Sequence, residues 1–306
     1  MRAVLIVNPK ATATTARGRD VLARALASDL KLDVVETAHR GHACEIAAEA
    51  ARDGLDLVVT LGGDGTVNEA INGLMSADVE QRPAFAAVPG GSANVFVRGL
   101  GQPADPVEAT SALLESLRAE RRRAIGLGTV NGRYFAFCAG IGYDAEVTRL
   151  VEARRHDGAT STPRLYVRTA VRHFYDGSTR ADLSTDSIAG DPPLQGLQMV
   201  VVSNTSPWTY WGSRPLRPSP EASFDTGLDL FAMRRMRMVR TLRVLAQMAS
   251  FSDEGPHGRT VARRHDLASL VLTGSAPAAL EVDGDYVGDY DRFELASVPR
   301  ALTVIA

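Results

Sequence analysis

Lysine is nearly missing from this chain: of its 34 basic residues only Lys10 and Lys31 are lysine, and the rest are arginine. Both side chains carry one positive charge, so we read the bias as coding preference before function. An excess of positive or negative charge is missing too. The 34 basic residues face 36 acidic ones and leave a formal net charge of −2. No global excess draws the chain to a polyanion, which excludes nucleic acid as a general partner. Cysteine occurs only as Cys44 and Cys138. Two cysteines so far apart are neither a disulfide framework nor a metal-ligand spacing, and they suit a reducing cytosol. No apolar run approaches the ~20 residues needed to span a bilayer. The start has a short apolar run at residues 3–7 that Asn8-Pro9-Lys10 stops, less than a secretory core requires. A membrane, where it matters, is therefore expected to be met from the cytoplasmic side.

What is present is ordinary globular composition: 306 residues, 45% hydrophobic and 23% charged. That length favours two domains, and the rhythm of the chain changes once. Residues 1–122 alternate short apolar runs with helical patterns: strand-like stretches at 3–7, 32–36, 55–61 and 85–88, and helical ones at 17–30, 42–52, 67–74 and 106–118. Such alternation predicts a doubly wound parallel sheet covered on both faces, whose ligands sit beyond the carboxyl ends of the strands. From residue 123 the runs shorten. Asn131-Gly132 between two apolar runs, 124–130 and 133–141, is a hairpin signal, since both turn residues need positive φ. Further short strands at 198–202, 228–233, 269–273, 280–282 and 292–296, with long polar loops at 176–196 and 203–224, predict an antiparallel β-sandwich over 123–296. The last residues, 297–306, are open to either domain.

Three stretches that follow strands carry phosphate chemistry. Gly62-Gly63-Asp64-Gly65-Thr66-Val67-Asn68-Glu69 comes directly after an apolar strand and opens a helix. Glycines let backbone amides approach a phosphate, and a helix start adds its unpaired N–H groups. Asp64 beside a phosphate makes sense with a divalent cation between them. No Gly-Lys-Ser/Thr follows, so this is not a Walker loop. Pro89-Gly90-Gly91-Ser92-Ala93-Asn94 repeats the design, and Asn8-Pro9-Lys10 ends the first strand. In the second half, Glu281-Val282-Asp283-Gly284-Asp285 sets two carboxylates about a glycine. Phosphoryl transfer to a hydroxyl needs a positioned proton acceptor.

These segments together resemble the diacylglycerol kinase catalytic domain family, which also takes in bacterial lipid kinases and the sphingosine and ceramide kinases. The Gly-Gly-Asp-Gly-Thr stretch is similar to one in NAD kinases and phosphofructokinases. The Asn8-Pro9 start, residues 89–94 and the late Asp283-Gly284-Asp285 point to the lipid branch, in the same order over nearly the whole chain. The resemblance implies an α/β nucleotide-binding domain plus a β-rich lipid domain, with ATP and Mg²⁺ as cofactors and a lipid hydroxyl as acceptor. It implies Asn8, Lys10, Thr37, residues 62–69, Gly91, Ser92 and Asn94 as nucleotide contacts. It implies Asp64, Asp283 and Asp285 as catalytic acids, with Asp285 favoured as the base. The family's structural Mg²⁺ motif, often Asp-Gly-x-Leu-Asp, corresponds to Asp225-Thr226-Gly227-Leu228-Asp229. That implies Asp225, Leu228 and Asp229 as ligands, with threonine as a departure inside the motif. Ser92 and Val95 also depart from the family's usual Thr and Asp.

Two features bear on a lipid partner. In residues 233–248 five arginines occur with no acid. On a helix Met238, Leu242 and Leu245 share one side, with Arg237, Arg240 and Arg243 roughly opposite. Such a segment can rest on anionic lipid, but packing of its Met/Leu side on the protein is the plainer expectation. Trp208, Tyr210 and Trp211 fit a membrane interface, an acyl channel or the core. The six histidines show no metal spacing. The sequence expectation is thus a lipid kinase, diacylglycerol-like, in peripheral contact with the inner membrane face. A soluble-metabolite kinase and a non-catalytic nucleotide or lipid binder are the alternatives. Oligomeric state is open, a homodimer included.

Overall fold

The computed structural model describes residues 1–11, 15–156, 163–176, 182–188, 190–250 and 254–306. They form two compact units, Met1–Leu127 with Arg300–Ala306, and Gly128–Pro299.

The first unit runs β1 (Arg2–Val7), α1 (Ala16–Leu26), β2 (Lys31–Glu36), α2 (His42–Arg52), β3 (Leu57–Gly62), α3 (Asp64–Met75), β4 (Ala84–Pro89), α4 (Val95–Gly99) and α5 (Pro106–Arg118). β1 pairs in parallel with β2 and β3, and β3 in parallel with β4. Every residue of β3 is buried. That is what a strand covered on both faces requires, and it explains the unbroken apolar run in its sequence. β2 is the edge, and it carries Lys31, Asp33 and Glu36, charges that discourage pairing with a further strand. Leu22 and Leu26 of α1 and Leu113 of α5 pack into one core with β1, β3 and β4. Helix ends follow local rules: Asp105 caps α5 by accepting from the amides of Val107 and Glu108, with Pro106 in the first turn. Short, apolar strands thus leave their carboxyl ends, and the loops after them, on one rim.

β5 (Arg123–Val130) leads into the second unit: β6 (Arg133–Phe135), β7 (Cys138–Gly142), α6 (Tyr143–His156), α7 (Pro163–Asp176), β8 (Leu183–Thr185), β9 (Leu197–Ser203), β10 (Thr209–Trp211), β11 (Arg214–Leu216), β12 (Leu228–Arg234), α8 (Met238–Met248), β13 (Val261–Leu267), β14 (Ser269–Val282) and β15 (Asp285–Val304). Here pairing is antiparallel, in the order β13-β12-β9-β7-β14-β15. Asn131 and Gly132 both take positive φ, at 49° and 81°, and close the β5–β6 hairpin. Phe135 lies over Gly128, where a Cβ would meet its ring at 2.1 Å.

The second unit departs from the sequence reading in several ways. Residues 133–141 are not one strand, because the chain bends between β6 and β7, where a side chain described below gathers the amides. Residues 269–273 and 280–282 belong to one long strand, β14, and 292–296 and 302–304 to another, β15. Two helices, α6 and α7, were not expected: α6 is Arg- and Glu-rich with little apolar periodicity, whereas α7 is amphipathic. The expected loop at 176–196 falls partly on 177–181 and 189, and the His156 side chain also lies outside the described residues. The helix expected within 233–248 starts only at Met238: β12 takes residues 233 and 234, and residues 235–237 lie between the two elements.

Candidate functional site

The rim of the first unit gathers the predicted phosphate loops. β3 ends at Gly62, and α3 starts at Asp64 with Gly63 as an N-cap that has no side chain. The first amides of any helix have no acceptor inside it and point out of its N-terminus. Gly62 cannot be another residue here, because a Cβ would sit 2.7 Å from Thr66 Oγ1. The second loop lies directly against the first. The Gly90 amide donates to the Gly62 carbonyl at 2.7 Å, and a Cβ on Gly91 would fall 2.6 Å from the Gly63 Cα. Asn94 closes that loop on itself: its Oδ1 accepts from the Gly91 amide and its Nδ2 donates to the Gly91 carbonyl, both at 2.9 Å. Asp64 links the two, its Oδ1 accepting from the Phe96 amide in α4 at 3.1 Å. Ser92 is exposed on the same loop.

The first strand's loop joins them. Asn8 Nδ2 donates to Thr66 Oγ1 at 3.1 Å, while its Oδ1 accepts from the Lys10 amide at 3.0 Å in an Asx turn about Pro9. The Lys10 residue is exposed, and Thr37 follows β2, its amide donating to the Val7 carbonyl at 2.8 Å. Val67 and Asn68 are buried on the inner side of α3. Glu69 holds the start of α2, accepting from the amides of Gly41 at 2.8 Å and Ala43 at 3.3 Å. Its carboxylate therefore serves a neighbouring helix end, a partner the linear motif did not reveal. Two surface cavities of about 360 and 430 Å³ open on this unit. Both are lined by Met1, at the opposite end of β1 from Asn8, so they lie away from the rim where parallel sheets bind ligands.

The acid turn lies in the second unit, between β14 and β15. Asp283 is buried at 2% exposure and takes positive φ. Its carboxylate accepts from three amides: Ala136 at 2.7 Å, Phe137 at 2.9 Å and Cys138 at 3.1 Å. This is what bends the chain between β6 and β7. Asp285, two residues on, is half-buried.

Sequence reasoning missed what lies beneath this turn. Glu281 is buried, and its Oε2 accepts from the Gly284 amide at 2.8 Å. Its other oxygen meets half-buried Asp144 of α6 under Gly140, where a Cβ would fall 2.5 Å from both Asp144 Oδ2 and Glu281 Oε1. Loss of water around two adjacent carboxyls opposes a second charge. Burial pushes Asp144 up to about 7, and burial with the neighbouring Asp144 charge pushes Glu281 well above the carboxylate range. Cys138 faces Glu281, and burial pushes its thiol up as well. The pair therefore holds a proton near neutrality.

A third group of polar side chains involves the proposed metal motif. Ligand atoms of Glu221, Asp229 and His265 lie within 4.8 Å of one another. Asp229 is buried, its Oδ1 accepting from the Asp266 amide at 3.1 Å and meeting His265 Nδ1 at 2.8 Å. Burial raises the Asp229 pKa against those two contacts. Of the three expected ligands only Asp229 is in this group; Asp225 is exposed and Leu228 buried. A group containing an imidazole, with one carboxylate oxygen already engaged, does not suit Mg²⁺, which takes oxygen ligands. Glu221 and His265 stand 8 and 36 residues from Asp229, separations at which no sequence pattern connects them.

Residues 2–130 match the model of the diacylglycerol kinase catalytic domain. A diacylglycerol kinase of Bacillus subtilis is 35% identical, over 94% of this chain and 90% of that protein. The chain belongs to the diacylglycerol kinase family. Its enzyme class is therefore that of a kinase with an alcohol acceptor. A Chromohalobacter salexigens protein named "Probable lipid kinase YegS-like" is 38% identical, but that alignment spans only 49% of this chain and 46% of the relative. The fold has solved counterparts. The crystal structure of a diacylglycerol kinase from Bacillus anthracis superposes with a TM-score of 0.72 at 21% identity, covering 99% of this chain and 96% of that one. Among the described residues no helix is long and apolar enough to cross a membrane.

Proposed function

We propose that this family member is an ATP- and Mg²⁺-dependent lipid kinase that moves the γ-phosphoryl group to the hydroxyl of a diacylglycerol-like lipid, working at the inner face of the membrane. The observation that carries the reading is the closure of three strand-end loops on one rim through Gly63–Gly91 and Asn8–Thr66. Gly63, Gly65, Gly90 and Gly91 supply backbone with no Cβ in the way, and Thr66 and Ser92 supply hydroxyls, the cradle a triphosphate needs. A hard carboxylate at Asp64 beside that cradle fits Mg²⁺ carried by the nucleotide. When bound, the cation supplies charge neutralisation of the phosphates. Asn8 and Thr66 fix the rim, Asp64 ties α3 to α4, and Lys10 and Ser92 stand exposed for the nucleotide. In this reading the parallel sheet of the first unit is the doubly wound nucleotide layer and the second unit is the lipid domain.

Asp285 is the proton acceptor we assign for the lipid hydroxyl. Asp283, its neighbour, is buried, and both of its carboxylate oxygens are engaged by three backbone amides, so its place is in holding the turn. Catalysis is then largely positioning and electrostatic stabilisation. The test is transfer from ATP labelled in its γ-phosphate to a total lipid extract and, separately, to a mixture of polar metabolites. Label in a chloroform-soluble product supports the reading. Label confined to polar products makes the chain a soluble-metabolite kinase, and ATP binding without transfer makes it a binder.

A further inference from the structure

Helix α8 packs on the second unit through Thr241, Val244 and Met248, which are buried. The side expected from sequence to pack faces water instead: Leu242 is 56% exposed and Leu245 36%, and Val239 near them is 80% exposed. At 100° per residue Val239 and Leu242 lie opposite the buried stripe. Arg240 and Arg243 flank them, both exposed. Residues 230–252 carry five arginines and no acid.

A second element adjoins the carboxyl end of α8. The β10–β11 hairpin carries Trp211 at 58% exposure near its tip. The hairpin is bolted to the far end of α8: the Arg217 amide donates to the Met248 carbonyl at 2.9 Å, and Arg214 Nε donates to the Ala249 carbonyl at 2.8 Å. Helix and tryptophan are thus held together as one piece, and residues 206–219 are also free of acids.

We propose that the outward side of α8, with Trp211, is a docking surface for a bilayer bearing anionic lipid. The charge selects this occupant. The arginines have no acid among residues 230–252 to neutralise them, so the occupant must bring negative charge as well as apolar surface. Aliphatic groups ringed by arginines, with tryptophan at the edge, match the acyl–headgroup boundary of an anionic membrane, where arginine remains hydrated and indole is favoured. The inference rests on the lipid-kinase reading for its purpose, since a soluble enzyme must meet its acceptor at the bilayer, but its test requires no turnover.

The full chain is sedimented with vesicles of phosphatidylcholine containing a quarter phosphatidylglycerol, and with pure phosphatidylcholine, at low and at raised salt. We expect binding to the anionic vesicles at least tenfold tighter, weakened by salt. The double variant Arg240→Gln/Arg243→Gln should lose roughly ten- to thirtyfold in that binding. Leu242→Ser/Leu245→Ser should lose a similar amount. Both pairs are on the surface, and transfer to a short-chain, water-dispersed acceptor should be unchanged, which shows that they fold. The blue shift of tryptophan fluorescence on vesicle addition should disappear in Trp211→Phe. Equal binding to both vesicles, or wild-type binding by the variants, overturns the proposal. So does a concentration-dependent dimer in ultracentrifugation that Leu242→Ser abolishes, since the surface would then belong to a second copy. Anionic-vesicle binding through α8 with no lipid phosphorylated would leave the surface standing and remove the kinase reading; phosphorylated lipid with vesicle binding indifferent to the variants would do the reverse.

Discussion

The backbones of Gly63 and Gly91 touch: a Cβ added to Gly91 would lie 2.6 Å from the Gly63 Cα and 3.1 Å from Asn94 Oδ1. Two loops separated in sequence by α3 and β4 therefore share a single surface. Gly91→Ala must push them apart by several tenths of an ångström, with little change to the core below. We expect ATP affinity to fall by roughly a hundredfold, read by calorimetry, while the melting temperature drops by only a few degrees. Unchanged affinity would show that the loop contact has no part in nucleotide binding.

The two acids of the late turn should separate cleanly. Asp285→Asn should lose on the order of a hundred- to ten-thousandfold in phosphoryl transfer while folding and ATP binding persist. Asp283→Asn places an NH₂ group among three backbone amides that need an acceptor. It should destabilise the chain by about 3 kcal/mol in urea unfolding. If the stable variant were Asp283→Asn and the unstable one Asp285→Asn, the assignment of roles would be reversed.

Glu69 offers a test between two duties. As the acceptor for the first amides of α2, its removal in Glu69→Ala should cost about 1 kcal/mol and lower the melting temperature by about 2–4 °C. A large loss of ATP affinity at unchanged stability would instead make it a direct contact to the nucleotide.

The Asp144–Glu281 pair sets a pH dependence of stability. Asp144 goes from 3.8 in the open chain up to about 7 when folded, because burial disfavours its charge. The native state then holds more protons than the unfolded one between those values. Its contribution is complete below about pH 4 and is lost as pH rises through about 7. Urea midpoints between about pH 5 and 8.5 should fall with rising pH, and Asp144→Asn, which has no proton to lose, should flatten the slope. An equal slope in wild type and variant would show that the pair does not carry the proton.

Much of the glycine-loop rim could be read in one dimension because its signals are local. Glycines placed directly after apolar strands, and an asparagine before proline, state their backbone requirements within a few residues. The hairpin at Asn131-Gly132 was legible for the same reason. The second unit was harder. Helix α6 carries little regular apolar periodicity to announce it, while α7 has an amphipathic pattern that the sequence does carry. The strands around Asp283 were misjudged because a side chain 145 residues away from Cys138 organises the bend.

Local chemistry written along the chain was enough to say that strands alternate with helices in the first half, that glycine loops close them, and that acids flank a late turn. Folding settled the rest, since burial and proximity are properties of space. Periodicity told that Met238, Leu242 and Leu245 lie together on a helix, but only the packing of Thr241, Val244 and Met248 decided which side water would see. Likewise, Asp144 and Glu281 are ordinary acids in sequence, and they come to share a proton only because two distant strands and a helix bring them under Gly140, out of water.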